Sequence, residues 1–467
     1  MKFDQQIFQK GIFVFSLALT ALTGYTQEGQ ASSVFNLDGY GPISRSMGGT
    51  GAAYDIGTYG LMINPATLAL IPSRGQVDLG LDVIIPYIKT KNLLTGQVAI
   101  NRRHSFFKAA VYAPQLGIAR HFKHNLTFGV GAFAQGGVGC NYGNRSFLST
   151  ALNGQPTLME MSSKFMVLRF PVGVAYQPHP RLILGGSIDP MVQGVNLNDL
   201  LQGDQLGSFA STGRINGTLL PVIGGIPGVM GGHLAVGRGG LYFPSAWAGG
   251  ISGKLGGIVN ITKGTKFGGV FHFPSAMSDM KGPAVITAVS AIQGPVPLQG
   301  RIAFKNVRMP AQMIFGISQE YKRLLATAEF NTAFWQPVMK NFNATFTDGA
   351  GRVLNRSVPL NFRNSYVLGM GVQYKLNNKL SLRSGVSLGN NVVPPNTLLA
   401  LIPAFPCRTY TCGATYAITE RTFMQFAYTH TYMMNMQGNS LPNISMSAPL
   451  GIQHTQNNFQ FNLARRF

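Results

Sequence analysis

Charge is what this chain has least of. Of 467 residues only 11% are Asp, Glu, Lys or Arg, under half the share in ordinary soluble proteins, and only 15 residues are acidic. The hydrophobic share is an ordinary 45% and glycine reaches 58 residues, so Gly, Ser, Thr, Asn and Gln stand where charges normally would. Such residues line a watery or amphipathic face without ionising, which argues against a water-exposed globular enzyme. The scarcity of acid leaves no spaced Asp/Asn loop for calcium. His121 and His124 have no nearby Cys or carboxylate, so no metal ligand and no cofactor is expected. Cysteine is scarce too. Cys140 stands alone, and Cys407 and Cys412 on one extended strand would sit roughly 16 Å apart at about 3.3 Å per residue. A disulfide then forms only if residues 406–411 make a loop. Long apolar runs are also missing: the nearest, Ile215 to Met230, is cut by Gly and Pro throughout. A membrane-spanning form of this chain is therefore not helical.

The N-terminus reads as a secretory signal over residues 1–31, with Lys2 and Lys10, an apolar stretch from Gly11 to Leu22, then small residues. The stretch is too short to span a bilayer and no Cys lies near it to accept a lipid. The net charge of +22 is spread along the sequence. Only Arg102-Arg103-His104 and Arg465-Arg466 cluster, which does not make a nucleic-acid surface. In an envelope setting, dispersed positive charge suits anionic lipid headgroups, lipopolysaccharide included, or an anionic ligand.

Period-two alternation recurs in pairs joined by short polar turns. Leu368, Met370, Val372 and Tyr374 are followed by Asn377-Asn378-Lys379 and then Leu380, Leu382, Val386 and Leu388; the opposite face is small or polar. The same design appears at 126–132, 172–188, 313–330 and 424–428. In a soluble sandwich the apolar face points into a core, and in a transmembrane barrel it points at lipid. Short connections (123–125, 178–180, 321–322, 377–379, 419–421) alternate with long ones (139–162, 196–242, 276–307, 337–363, 392–407, 436–454), an asymmetry that favours the barrel. Phe459, Phe461 and Leu463 alternate toward Phe467, resembling the last strand of bacterial outer-membrane barrels, which implies recognition by the barrel assembly machinery. The expected fold is an all-β outer-membrane barrel of about 14 antiparallel strands over 75–467, preceded by 32–74, which is long enough to fold inside it.

Ser44-Arg45-Ser46-Met47-Gly48-Gly49-Thr50-Gly51-Ala52-Ala53, followed by Asn64-Pro65-Ala66-Thr67-Leu68-Ala69, resembles the N-terminal hatch of FadL-type outer-membrane transporters of long-chain fatty acids and other hydrophobic compounds. The resemblance continues through Ala113 to Ala119, the strands ending in Trp335, Leu382 to Gly385, and Pro394 to Arg408. Asp55 to Gly60 departs from the acidic pattern common in that family, which bears on ligand identity. The resemblance implies passive transport by a monomer: capture by extracellular loops, a greasy lumenal pocket, and sideways exit at a kinked third strand when the hatch shifts. The cargo it implies is a long-chain fatty acid or an aromatic hydrocarbon.

The residues fit that outline. Gly48, Gly49 and Gly51 permit tight turns, while Pro65 fixes a bend beside Asn64 and Ala66; an ordinary Gly-rich periplasmic arm is the plainer alternative. Gly136-Gly137 suits a kink or bulge in the third strand. Alternation turns Arg169, Arg323, Arg383 and Glu329 to the lumen, where one arginine serves to bind a carboxylate and another to neutralise Glu329; each fits a wall-bracing ion pair as well. Leu197, Leu200, Leu201, Phe209, Leu219 and Leu220, in the loop 196–242, suggest a docking groove or a loop folded over its own side chains. No catalytic residue is expected. Gly385-Val386-Ser387-Leu388-Gly389 matches an esterase motif, but Ser387 lies within the alternation rather than on a strand-to-helix turn. A diffusion porin, or an adhesin or structural barrel, remains the alternative.

Overall fold

The computed structural model describes residues 35–101, 110–123, 125–237, 244–403, 408–438 and 449–467. The expected signal segment, Arg102-Arg103-His104, His124 and Cys407 lie outside them.

Residues 35–72 hold one short helix, α1 (Gly41–Arg45), and two 3-10 turns, Gly57–Leu61 and Pro65–Leu70. The wall then opens with β1 (Gly75–Asn92), β2 (Val98–Ile100), β3 (Val111–Phe122) and β4 (Leu126–Gly143). Next come β5 (Met161–Arg169), β6 (Val172–His179) and β7 (Leu182–Gln202), followed by α2 (Gly203–Ser211), β8 (Ile215–Asn216), α3 (Leu220–Gly224) and β9 (Val229–Val236). The middle of the chain forms β10 (Ala246–Asn260), β11 (Thr265–His272), β12 (Ala276–Met277), β13 (Met280–Ser290), β14 (Gly294–Lys305), β15 (Gln312–Tyr321) and β16 (Leu324–Ala333). The last third supplies β17 (Asn341–Asp348), β18 (Val353–Pro359), β19 (Ser365–Lys375), β20 (Leu380–Gly389), β21 (Arg408–Ala417), β22 (Thr422–Gly438) and β23 (Leu450–Arg466).

Followed by hydrogen bonding, an antiparallel ring runs β1, β3, β4, then β5 and β6 end to end, then β7, β10, β11, β15, β16, β19, β20, β21, β22 and β23. β23 closes on β1 along its length, from Gln76 opposite Arg466 to Asn92 opposite Leu450. Closure removes the exposed sheet edges that would otherwise recruit other chains. The expectation of about 14 strands understates the sheet, which has 23 segments. Most of the difference lies in stretches expected to be long loops, which instead extend the sheet through β8, β9, β12 to β14, β17 and β18; the rest is β2 and the division of one expected strand into β5 and β6. Once the ring exists, their backbones have neighbouring strands to bond, a non-local opportunity that alternation along one segment does not report.

The distribution of polarity is inverted relative to a soluble sandwich. Leu116, Ile118, Phe315, Ile317, Leu382, Phe461 and Leu463 are exposed on the outer face, whereas Gln115, Thr127, Gln193, Thr411, Gln425, Gln460 and Asn462 are buried inside. A continuous apolar outer band is stable only against hydrocarbon, and a closed ring leaves no unpaired backbone edge in it.

The interior is filled by residues 35–72. Gly48 donates its N–H to Thr411 Oγ1 at 3.0 Å, Ser318 Oγ donates to Ala53 O at 2.8 Å, and His272 Nε2 bonds Ile63 O at 2.7 Å. Arg45 pairs with Asp82 at 2.6 Å with both side chains buried, and Tyr59 donates to Asn462 at 3.0 Å. These partners lie on well-separated strands of the ring, so the segment packs inside it. Gly48 has φ +69, and a Cβ there would strike the Val386 and Met370 carbonyls, so only glycine fits this close approach.

Candidate functional site

Two cavities border the start of the described N-terminal segment. The larger, about 210 Å³, sits toward the end bearing the long connections. Its lining is mainly apolar: Phe35, Phe165, Leu200, Phe209, Leu360 and Leu399 are among its walls. Its floor is braced by rings, with Phe35 5.0 Å from Phe165 and 5.3 Å from Trp335 between centroids. Of the expected docking residues, Leu197, Leu200, Leu201 and Phe209 line this cavity. Leu219 is fully buried in the surrounding core, and Leu220 packs against Phe209 and Ile215. The described part of this loop, 196–237, thus folds against the cavity and covers its own apolar side chains. Arg356 also borders the cavity, paired to Asp199 at 2.6 Å and lying 5.6 Å above the Phe209 ring.

The smaller cavity, about 40 Å³, is polar and lies between the N-terminal segment and the wall. Asn36, Gln135, Arg169, His272 and Glu329 border it. Phe35 lines the first cavity and Asn36 to Gly39 the second, so a few residues separate the two.

Beside them the wall is irregular. The pairing of β4 with β5 slips by one residue between Ala134 and Gly136, which makes Gln135 a bulge. Gly136 takes φ +155, and a Cβ there would collide with the Phe35 carbonyl. The bulge falls at Gln135, one position before the Gly136-Gly137 pair, and glycine at 136 admits the N-terminal segment. A few residues along the same ladder, β5 ends at Arg169 and β6 begins at Val172, the break falling at Phe170-Pro171 beside Gly131. Pro171 has no N–H to give the ladder. Its carbonyl accepts from Gly131 at 3.1 Å.

Gln135 is held from several sides. Its carbonyl accepts from Leu37 N at 3.1 Å and from the Tyr40 hydroxyl at 2.8 Å. Its side-chain nitrogen donates to Asn36 and its side-chain oxygen accepts from Arg169, each at 2.5 Å. Burial raises the Tyr40 phenol above its ordinary range, so it stays protonated and remains a donor.

The expected lumenal charges separate into three cases. Arg169 is buried and joins Asp189 at 2.8 Å, with Lys254 on the same carboxylate oxygen and Ser187 on the other at 2.7 Å. Arg383 is buried and donates to Gln373 and Thr415, each at 2.7 Å. Arg323, contrary to expectation, is exposed in the turn before β16 and bonds the Leu376 carbonyl at 3.2 Å. The alternation breaks at Lys322, whose φ is +52, and this frees Arg323 from the lumenal face. Glu329 is buried, and among the described residues no arginine pairs with it: its Oε2 accepts from the Gly51 and Ala52 amides at 2.7 and 2.8 Å. None of Arg169, Arg323 and Arg383 lines the apolar cavity.

Asn64 accepts from Ala66 N at 3.1 Å and donates to the Ala52 carbonyl at 2.8 Å, tying the Asn64-Pro65-Ala66 turn to the glycine run that includes Gly49 and Gly51. Ser387 is buried within β20 opposite Gly369 and Thr409, on no turn. His430 bonds Asn457 at 2.8 Å and His454 bonds Pro403 O at 2.8 Å, so neither pairs with a nucleophile in these contacts. Among the described residues no cluster of His, Cys, Asp or Glu fits a metal. Sequence reasoning missed Phe35, Gln135, Asp189 and Lys254. Pro171, which cannot donate to a ladder, was a readable sign of an interrupted strand, but nothing marked Phe35.

Residues 23–463 match the family described as "Outer membrane protein transport protein (OMPP1/FadL/TodX)". The crystal structure of the P. putida toluene transporter TodX superposes with a TM-score of 0.83 at 31% identity, covering 92% of this chain and 99% of that one. That of the Ralstonia pickettii toluene transporter TbuX gives 0.78 at 33% identity, with 92% and 99% covered. An uncharacterised protein from the phosphoenolpyruvate carboxykinase gene 5' region of Chlorobium limicola is 40% identical over 78 residues; the match spans 38% of its length and 16% of this chain. With the family matched over most of its length, the chain belongs to the OMPP1/FadL/TodX family and is an outer-membrane transport channel, not an enzyme.

Proposed function

We propose that this channel takes up small hydrophobic molecules, monoaromatic hydrocarbons foremost, by passive diffusion. The observation that carries the reading is the apolar cavity of about 210 Å³. An apolar cavity of about 150 Å³ already accepts benzene, so a single substituted ring fits. A long-chain fatty acid would need a cation for its carboxylate. The arginines expected for that role do not line the cavity; the cations that do are Arg356, paired with Asp199, and Lys164. The likeness to two toluene transporters above 30% identity points the same way.

In this reading the folded 196–242 segment and the cavity capture the molecule, and residues 35–72 act as the hatch. Movement of Phe35 to Tyr40 opens the way past the ring cluster to the Gln135 bulge. The interrupted ladder at Phe170-Pro171 makes that part of the wall the easiest exit. An apolar cargo leaving sideways enters hydrocarbon directly and never crosses the aqueous periplasm.

The test is uptake of labelled toluene and labelled oleate by bacteria lacking their own transporters, with and without this protein at matched expression. Toluene uptake rises and oleate uptake does not. Oleate uptake equal to that of toluene would overturn the cargo assignment, and neither rising with a folded barrel would overturn the transport reading for both classes.

A further inference from the structure

Basic residues from distant turns meet at one rim of the barrel, while others, Arg301, Arg308 and Lys340 among them, are exposed toward the opposite end. Arg120, Lys123, Lys322, Arg323, Arg421 and Arg465 are exposed at the end bearing the short turns and the C-terminus, which in outer-membrane barrels faces the periplasm. Exposed acidic groups at this end, among the described residues, are Glu320, paired with Lys375 at 3.0 Å, and Glu420.

Two of the cations continue the lipid-facing stripes. Arg120 follows Leu116 and Ile118, and Arg465 follows Phe461 and Leu463, all exposed on the outer face. These two strands flank β1, since Gly75 stands opposite Arg120 and Val77 opposite Arg465. Exposed rings mark the same level: Phe122, Tyr176, Tyr321, Tyr374, Tyr416 and Phe467. Such aromatic girdles sit at headgroup depth. The Arg120 guanidinium lies 5.7 Å from the Phe122 ring and the Lys322 ammonium 5.2 Å from the Tyr321 ring, which places the cations at that depth rather than out in the periplasm.

We infer that this rim is a docking collar for anionic phospholipid headgroups of the inner leaflet, phosphatidylglycerol being the simplest. The argument is charge complementarity at a fixed depth: an apolar band ends in rings, and the next layer is cationic with little acid to compensate it. A soluble anionic partner would not require cations on the lipid-facing stripes. The collar would hold the barrel at a set height and surround the periplasmic end with anionic lipid.

The full chain in nanodiscs of phosphatidylcholine, with trace spin-labelled phosphatidylglycerol or phosphatidylcholine, tests this through the motionally restricted lipid fraction. Phosphatidylglycerol is expected to be enriched about three-fold over phosphatidylcholine at low salt, falling toward parity at high salt. Replacing Arg120, Lys123, Lys322 and Arg323 together by Gln should bring the ratio near one, while Arg301, Arg308 and Arg352 replaced by Gln at the other end should leave it unchanged. Equal association of both lipids with the unaltered protein overturns the proposal without any variant. So does an enrichment that survives the rim substitutions, or one lost to the same extent on substitution at the other end. Heat-modifiable migration verifies that each variant is folded.

Discussion

Glu329 shows how a single side chain serves two parts of the molecule. As a wall residue its carboxylate would be costly to bury, yet its partners are the Gly51 and Ala52 amides, which the tight glycine run turns toward it. Removing the acceptor leaves two buried N–H groups unmet. Glu329→Ala should therefore weaken the seating of this run by about 1–3 kcal/mol. Amide exchange across residues 47–56 should accelerate while exchange in β16 stays slow; equal acceleration in both would show that the wall itself had been damaged. Glu329→Gln keeps an acceptor and should be milder. The sequence placed Glu329 on the lumenal face correctly, but alternation says only which way a side chain points, not what meets it. Arg323 failed for a related reason, since one left-handed residue at Lys322 ends the alternation that had assigned it.

Among elements, β4 is the one whose irregularity matters most. Deleting Gln135 removes the extra residue between Ala134 and Gly136, restores even pairing with β5 and takes away the acceptor of Leu37 and Tyr40. Toluene uptake should fall at least about ten-fold, equivalent to roughly 1.4 kcal/mol of barrier. A deletion variant that transports normally would remove the bulge from the exit route. β9 offers a pH readout. His233 is buried on it and donates from Nε2 to the Glu160 carbonyl at 2.9 Å. Burial lowers its pKa below the ordinary imidazole value, with Glu160 and Asp199 offsetting part of the effect. The unfolded segment therefore binds the proton more readily than the folded one, so the local stability of β9 is full above the ordinary histidine range and declines as pH falls through it. Exchange of the β9 amides, corrected for intrinsic rates, should be faster at pH 5 than at pH 7.5, and His233→Gln should abolish the difference. The strand pattern was legible wherever one face meets lipid. β8, β9, β17 and β18 were not, because strands far along the chain complete their pairing: β18 for β8, β7 and β13 for β9, β14 for β17.

For the whole molecule, the ring is closed by β1 and β23 without any ladder bond from residues 35–72. Deleting Ser44 to Ala66 should leave a barrel that still migrates as a folded, heat-modifiable species but no longer discriminates by polarity, which uptake of toluene beside a small hydrophilic solute would read. Unchanged discrimination would refute the gating role. From the sequence alone came the barrel class, the direction of its apolar face and the glycine-rich segment with its Asn-Pro-Ala turn. Those follow from local facts: a period of two, scarce charge, and turns that only certain residues make. What tertiary structure alone decided was the apolar cavity, the clasp of Asn36 to Tyr40 on Gln135, the triad of Arg169, Asp189 and Lys254, and the meeting of cations from distant turns at one rim. Each of these joins residues far apart in the chain. Ring closure fixes strand register and height, and only register and height determine which distant side chains share a depth in the membrane.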